Sequence, residues 1–461
     1  MDKDAVSIAG NNAVTNEDAL RLAQLGHTQE LRRQYSLWSL CSLCVCLMAT
    51  WEALSTVVAT ALISGGAPCL FYNYSLGEIA SIFPTAGGQY HWVAALTPSS
   101  IRSSASFVTG WISIGGQIVL TSSAAFSAGL QTQALVMVND SSYVPQRWQG
   151  MLFYWAILIY ALVMNIWGHR LLPFTNTVSG IIHVVGFVAV VIVLGVMSPK
   201  NSAEFVFTEV TNYSGWSNEG VSWLLGLLST VYPFLGYDAA CHLAEEMAHA
   251  SRNVPLAMIG SSKAATTVLS LVVICIATAA CVAGITSTSR TVWAFARDRS
   301  TPFDKHLSKV DKRLQIPIYS VVVVTVLQML LGLIYIGNTT AFNAILSMAI
   351  IGMYASYALP IVAMLFARRR LLSATGFGTF KLGRIAGPIT NAISLIWITV
   401  VIIFSTFPSA MPVTPQNMNY SIVVMAGRLT AGVLYYVFRG KYKYQVPNVD
   451  SDIVDGVQEQ R

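Results

Sequence analysis

Long apolar runs separated by short polar segments dominate this chain of 461 residues. A membrane-spanning helix needs about 20 mostly apolar residues, and nearly all of these runs reach that length. A shorter run at 67–83 carries a proline and a glutamate, so it is a weaker candidate. The pattern predicts an all-α integral membrane protein of ten or eleven spans, with a membrane domain over 35–443 and polar tails over 1–34 and 444–461. The clear runs are 36–63, 106–137, 151–167, 174–197, 221–240, 264–286, 317–336, 341–366, 389–407 and 418–438.

The run at 221–240 contains a break. Its sequence, VSWLLGLLSTVYPFLGYDAA, is interrupted by Pro233 and Gly236, and Asp238 follows two residues later. Proline removes a backbone hydrogen bond from the helix, and exposed backbone groups at bilayer depth are tolerated only where they line a cavity or are covered by protein. A kinked packing helix would explain the proline alone. Proline, glycine and a costly carboxylate together favour the substrate cavity of a secondary transporter.

Composition narrows the functional class. Mean hydropathy is +0.58 and only 10% of the residues are charged, whereas a soluble domain carries about 25%. The net charge of +6 comes from Lys and Arg at the ends of apolar runs, which indicates membrane orientation rather than nucleic-acid binding. The sequence contains no phosphate-binding glycine loop with lysine, no zinc-ligand spacing and no nucleophile elbow. We therefore predict no enzymatic activity, no cofactor, no nucleic-acid partner, and a lipid bilayer as the surroundings.

Basic residues in the short loops predict the orientation, because cytoplasmic loops carry an excess of Lys and Arg. Arg32 and Arg33 place the N-terminal tail in the cytoplasm, and the segment from Arg439 to Lys443 places the C-terminal tail there. Four segments poor in basic residues are expected outside, and four glycosylation sequons fall in or beside them. These segments are 138–148, 198–220, 337–340 and 408–417, and the sequons begin at Asn139, Asn212, Asn338 and Asn419.

One pair of loops breaks the alternation between the two sides. The 241–263 loop contains Arg252 and Lys263, and the 287–316 loop is strongly basic, so both are expected in the cytoplasm. Only one clear span, 264–286, separates them. A single helix cannot begin and end on the same side, so either this segment is re-entrant or a span is absent.

Four segments carry a resemblance to a known family. The combination of GGQYHW with SRTVWAFARD is the most specific part of it. These residues resemble the fungal GABA and choline permease branch of the amino acid–polyamine–organocation superfamily, from about Leu31 to Lys443. The segments are PTAGGQYHWVAAL (84–96), FLGYD (234–238), EEMAHASRNVPLAM (245–258) and TSTSRTVWAFARDRSTPFDK (286–305).

The resemblance implies a fold of twelve helices. The first ten form two inverted five-helix repeats, the LeuT-like arrangement, and helices one and six are broken at the substrate site. The run at 36–63 corresponds to helix one and the run at 221–240 to helix six. Relatives often place glycines at the break of helix one, but this chain has none between Tyr35 and Ile63.

The same resemblance implies that backbone at both breaks lines the substrate cavity. The positive N-terminal ends of the half-helices would then face a substrate carboxylate. Glu52 is an intramembrane carboxylate, for which the alternative is a buried group paired with a neighbouring hydroxyl such as that of Thr50 or Ser55. The expected substrate-binding residues are Thr50, Trp51, Glu52 and Ala53 from helix one, and Phe234, Gly236, Tyr237 and Asp238 from helix six.

Two pieces of the family pattern are missing from the chain. Tyr74 runs directly into Ser75 where relatives carry a full helix two, and Ser261 runs into Ser262 where they carry a helix seven and an external loop. We therefore predict a shortened helix two and an absent helix seven, at equivalent places in the two repeats. An imperfect gene model or splice product would explain both, and so would a degenerate protein that no longer transports.

His183 is the predicted site of proton coupling. It lies in the apolar run at 174–197, and histidine titrates near neutral pH without perturbation. Glu52 and Asp238 lie at similar depth, but carboxylates would need burial to titrate in that range. The structural alternative is a neutral histidine hydrogen-bonded to a backbone carbonyl.

The sequence as a whole predicts a secondary active transporter in the plasma membrane, coupled to protons, that moves an amino acid or a small amine such as GABA or choline. Three alternatives stay open. The first is a membrane nutrient sensor that binds substrate without moving it. The second is a degenerate permease, and the third is an exporter of a secondary metabolite.

Overall fold

The computed structural model describes most of the helical core of the chain, and all the elements in it are helices. This confirms the predicted all-α architecture. The described residues are 31, 35–48, 72–140, 142–197, 212, 214–231, 235, 270–337, 341–367, 380–408, 411–414 and 418–447.

Seven α-helices are present among the described residues up to Val231. The predicted spans at 106–137, 151–167 and 174–197 coincide with the fourth, fifth and sixth of them. In order they are α1 (Leu37–Met48), α2 (Tyr72–Ile82), α3 (Gln89–Leu96), α4 (Ser99–Asn139), α5 (Arg147–Ile166), α6 (Leu172–Met197) and α7 (Glu219–Val231).

Eight further helices follow in the second part of the chain, and a π-helix over Tyr436–Gly440 extends the last long one. They are α8 (Ser270–Arg297), α9 (Asp304–Leu307), α10 (Ile318–Gly332), α11 (Ile334–Gly337), α12 (Ala341–Phe366), α13 (Ala386–Phe404), α14 (Ser421–Tyr435) and α15 (Lys441–Lys443).

Five helical segments among the described residues are long and apolar enough to cross a membrane. They lie in α5, in α10 continued by α11, in α12, in α13, and in α14 with its extension. Their bounds are Arg147–Ile166, Ile318–Ile336, Ser347–Phe366, Ala386–Phe404 and Ser421–Lys443. By contrast, α2 has 11 residues, which corresponds to about 16 Å of helix against a hydrocarbon core of about 30 Å.

The long helix α4 is the centre of the bundle. It packs against α3, α5, α8 and α12. Its contact with α12 is close because two glycines face each other: a Cβ atom on Gly116 would lie 2.9 Å from backbone carbon of Gly352. Small residues allow helix backbones to approach in membranes, where van der Waals packing replaces the hydrophobic effect as the force between helices. Among the described residues, α4 therefore has more extensive contacts with the rest of the bundle than any other helix does.

The sequence also explains where individual helices begin. The N–H of Gln146 donates to Oε1 of Gln149 at 3.0 Å, and the Gln146 side chain accepts from the backbone of Gln149. This capping box satisfies N–H groups that have no partner within α5. Helix α6 starts after a short 3₁₀ turn over His169–Leu171 and packs against α1 and α8, which places the predicted coupling residue inside the bundle.

Candidate functional site

The eight predicted substrate-binding residues lie outside the described part of the chain. Residues 50–53 follow the end of α1 at Met48, and residues 234 and 236–238 follow the end of α7 at Val231. Leu235, within the predicted break, is described and is buried in the main apolar core. The contribution of these eight side chains to a cavity stays a prediction.

His183 is buried inside the bundle, with 1% of its surface exposed. It lies on the same face of α6 as Asn176 and Gly180, because residues three, four or seven apart share a helix face. That face contacts α1: Sγ of Cys46 lies 3.7 Å from the carbonyl oxygen of Asn176. The packing of predicted helix five against predicted helix one is therefore present in the structure.

The contacts between α1 and α6 run in opposite order along the two helices. Cys46 meets Asn176, whereas a Cβ atom on Gly180 would lie only 2.7 Å from Oγ of Ser42. On α6, the step from Asn176 toward His183 thus corresponds to a step toward the beginning of α1, an antiparallel relation that the sequence did not predict.

A buried polar seam joins α4, α5, α8 and α10, and sequence reasoning missed most of it. The Tyr154 O–H donates to the carbonyl oxygen of Gln328 at 2.5 Å and lies 2.7 Å from Oγ of Ser122. About three turns further along α5, Nδ2 of Asn165 donates to the carbonyl oxygen of Val282 at 3.0 Å. We call this set, together with Thr286, the polar seam.

Thr286 completes the polar seam. Its O–H lies 2.7 Å from Oδ1 of Asn165 and 2.8 Å from the carbonyl oxygen of Val282. The side-chain amide of Asn165 and the hydroxyl of Tyr154 both have partners in this arrangement, and the seam contains no charge. Buried polar groups that are fully hydrogen-bonded fix the relative positions of helices. The sequence signal was the runs of hydroxyl residues TSS at 121–123 and TSTS at 286–289 inside apolar helices.

The two most specific motifs of the family resemblance, GGQYHW and SRTVWAFARD, contact each other at one end of the bundle. This end consists of α3, α9 and residues 298–317, and we call it the basic end. The Tyr90 O–H donates to Oδ2 of Asp298 at 2.9 Å. The Tyr90 ring packs edge-on against Phe295 with centroids 5.0 Å apart, and the Ser106 hydroxyl donates to the Tyr90 carbonyl at 2.8 Å. GGQYHW and SRTVWAFARD therefore form one structural unit.

Residues that follow the last span dock onto the same unit. The N–H of Gln445 donates to the carbonyl oxygen of Asp298 at 2.9 Å, and the Tyr444 hydroxyl lies 2.6 Å from Oγ of Ser106. Burial, and then the negative charge of Asp298, raise the pKa of Tyr90 well above its ordinary value, and the same two causes raise the pKa of Tyr444. Both tyrosines thus stay neutral donors. The predicted tail over 444–461 begins with packed residues.

Glu78, the acid within the weaker apolar run, has a structural explanation. It is fully buried at the end of α2, and its Oε1 accepts a hydrogen bond from the N–H of Leu382 at 2.7 Å. The Ser81 hydroxyl donates to the carbonyl oxygen of Phe380 at 2.8 Å. A carboxylate that accepts a backbone N–H bond anchors the segment before α13 rather than binding substrate.

Known proteins similar to this chain are transporters. The chain is 26% identical to a choline transporter of Saccharomyces cerevisiae over 90% of its length and 83% of that protein's. It is 26% identical to the amino-acid permease BAT1 of Arabidopsis thaliana over 94% of its length and 97% of that protein's. A crystal structure of the Eremococcus coleocola manganese transporter is similar over 93% of this chain and 95% of that one, with 11% identity and a TM-score of 0.48.

The sequence alignment with a relative contains gaps on the side of this chain. The alignment with the Arabidopsis permease has 504 positions, yet 94% of 461 residues is only about 433. The family model described as amino acid permease matches residues 35–282 and 258–427, in two pieces that overlap where helix seven is expected. Together the two matches cover most of the predicted membrane domain. The chain belongs to the amino acid permease family.

Proposed function

We propose that the protein is a proton-coupled permease of the plasma membrane that moves an amino acid or a small amine such as GABA or choline. The observation that carries the proposal is the family match, which extends over both predicted repeats and includes the broken segment with Asp238. The likeness to a yeast choline transporter and to a plant amino-acid permease supports the substrate class. The cytoplasmic position of both tails follows from the basic loops.

The proposed substrate site is the backbone of residues 50–53 and 234–238. An amino-acid carboxylate would meet the N-terminal ends of the half-helices, where the helix dipole is positive. Glu52 and Asp238 supply the negative charge that an ammonium group requires. Phe234 serves as a gate, and Tyr237 contacts the substrate.

The proposed coupling group is His183. Proton-coupled uptake needs a group that binds a proton facing outward and releases it facing inward. The burial of His183 and its position on the face of α6 that contacts α1 support this role, because a charge gained there would alter the packing of a helix that leads into the substrate site. The proton is then the second cargo.

Uptake of radiolabelled GABA, choline and a panel of amino acids in a host lacking its own permeases tests the proposal. The chain is expressed as it stands and in a version with the missing parts of helices two and seven restored. We expect the restored version to accumulate at least one substrate, with faster uptake at acid external pH. Glu52→Gln and Asp238→Asn should each reduce uptake about tenfold or more while surface expression is retained.

A non-transporting sensor or degenerate permease is the second candidate. The excess alignment positions opposite this chain favour it. Sequencing the transcript across codons 70–80 and 258–268 separates a gene-model fault from a real shortening. Substrate binding without accumulation by both versions would support the sensor, and loss of substrate from preloaded cells would support an exporter.

A further inference from the structure

A cavity lies between α4, α8, α10 and α14, and side chains from residues 301–307 at the basic end complete its wall. It has a volume of about 600 Å³, within the range of small-molecule sites, roughly 300–1,000 Å³. Apolar side chains form nearly all of its wall, including those of Trp111, Val324 and Leu327. Val323 and Leu327 on α10 are also exposed on the outside of the bundle, so the cavity is a groove bordering the membrane-facing surface. We call it the α10–α14 groove.

Among the described residues that line the groove, Arg428 is the only arginine or lysine. Arg428 is on α14, within the membrane span Ser421–Lys443 and 11 residues before Arg439. That separation corresponds to about 16 Å along a helix, so the guanidinium is placed deep in the hydrocarbon layer. An ionisable side chain at this depth is costly, and such residues mark ligand or ion sites.

Hydrogen bonds hold the Arg428 side chain in place, but no described acidic side chain in the groove neutralises its charge. Nη2 donates to the carbonyl oxygen of Trp111, and the Trp111 indole N–H donates to the carbonyl oxygen of Arg428 at 3.1 Å. Gly115 makes room for the guanidinium, because a Cβ atom there would lie 1.3 Å from Cζ of Arg428. Nη1 is buried and has no hydrogen-bond partner among the described residues, and the described residues that line the groove include no Asp or Glu.

We propose that the α10–α14 groove binds a free fatty acid, with its carboxylate on Arg428 and its hydrocarbon chain along α10. A guanidinium with an open donor is the strongest partner for a planar carboxylate. The apolar wall of Val323, Val324 and Leu327 matches an aliphatic chain and opens toward the bilayer, from which such a molecule enters. The carboxylate of the fatty acid supplies both the negative charge and the hydrogen-bond acceptor for Nη1 that Arg428 lacks among the described residues of the groove.

Other occupants match the groove less well. A phospholipid keeps its phosphate at the membrane surface, about 16 Å from Arg428 along α14. A cationic amine is repelled by Arg428, and the described wall offers the ammonium group of an amino acid no carboxylate as a counter-charge. The groove is therefore not a second copy of the predicted substrate site.

Binding of tritiated palmitate to the purified full-length chain in detergent tests the proposal without any need for transport. We expect saturable binding that unlabelled palmitate displaces and that methyl palmitate, the uncharged ester with the same chain, displaces at least tenfold less well. Arg428→Met removes the charge and keeps an unbranched apolar side chain, and it should weaken palmitate binding tenfold or more. Arg439→Met, an exposed arginine outside the groove, is the matched control and should bind as the unmodified chain does.

A second variant keeps the proposal falsifiable if Arg428→Met fails to fold. Leu327→Trp fills the groove from its exposed side, leaves Arg428 in place and should also reduce binding. Equal palmitate binding by Arg428→Met, Leu327→Trp and the unmodified chain would overturn the proposal. Native mass spectrometry that finds a phospholipid retained through Arg428, with no palmitate bound, would overturn the choice of occupant.

Discussion

The polar seam and the α10–α14 groove are both polar features inside a membrane bundle, and they differ in how their hydrogen bonds are completed. In the seam, Asn165 donates to Val282 and accepts from Thr286, so each group has a protein partner and none is charged. In the groove, Arg428 keeps a buried Nη1 with no partner among the described residues. A satisfied neutral network stabilises the scaffold, whereas an unsatisfied charge indicates a ligand.

The largest expected effect comes from breaking the seam. Thr286→Val keeps the shape of the side chain and removes the hydroxyl that donates to Asn165, so a buried acceptor loses its partner. We expect the free energy of unfolding to fall by about 1–3 kcal/mol. Thr399→Val on α13 is the matched control, because the Thr399 hydroxyl is exposed and bonds only within its own helix. Equal thermal shifts for the two variants in detergent would show that the seam is not part of the scaffold.

His183 is a third buried polar group. A variant of it shows whether it belongs to the scaffold, as the seam does, or has a function in transport. In the restored permease, His183→Gln keeps a hydrogen-bonding side chain but removes titration. We expect uptake to lose its pH dependence, a difference of roughly tenfold between pH 5.5 and 7.5, or about 1.4 kcal/mol. His169→Gln, at the turn before α6, should leave the profile unchanged. An unaltered pH profile in His183→Gln would leave Glu52 and Asp238 as the coupling candidates.

The next largest expected effect is on the stability of the protein at alkaline pH, and it arises from Tyr90 at the basic end. The pKa of Tyr90 is raised in the folded protein, so between its ordinary value near 10 and the folded value only the unfolded chain releases this proton. Stability is therefore lost as pH rises above about 10. Tyr90→Phe cannot ionise, so we expect a lower stability at pH 8, by about 1 kcal/mol for the lost hydrogen bond, but a shallower decline above pH 10. Parallel declines for both proteins would contradict this explanation.

The smallest expected effect is that of Arg428→Met on stability. Replacing a buried charge by an apolar side chain of similar volume is often neutral or stabilising. We expect the unfolding free energy to change by less than about 1 kcal/mol, even though palmitate binding is lost. A destabilisation as large as that of Thr286→Val would mean that Arg428 belongs to the scaffold as the seam does.

Sequence reasoning predicted the helices better than their contacts. Apolar runs located α5, α6 and α10 closely, because length and hydropathy suffice to define a membrane helix. Motif resemblance gave the family, but it did not predict that Tyr90 and Asp298 bond to each other across more than 200 positions. Arg428 carried only a weak signal, one arginine in the last apolar run, because its meaning depends on the groove formed by three other helices.

The predicted substrate residues were inferred from local breaks and from family resemblance. The contribution of residues 50–53 and 234–238 to the substrate site stays a prediction. His183, by contrast, lies on a regular helix, α6, and is buried in the bundle. The opposite order of its contacts with α1 depends on tertiary geometry, which no periodicity in the sequence encodes.

Uptake by the restored chain in a permease-deficient host, compared between Asp238→Asn and Asp140→Gln, shows whether the chain transports and whether Asp238 is needed for it. Asp140 is an exposed acid in the loop after α4, so its amide variant controls for expression and for loss of one negative charge. We expect accumulation of GABA, choline or an amino acid by the unmodified protein and by Asp140→Gln, and loss of accumulation in Asp238→Asn at equal surface expression. Undiminished accumulation in Asp238→Asn, or binding without accumulation in the unmodified restored chain, would contradict this expectation.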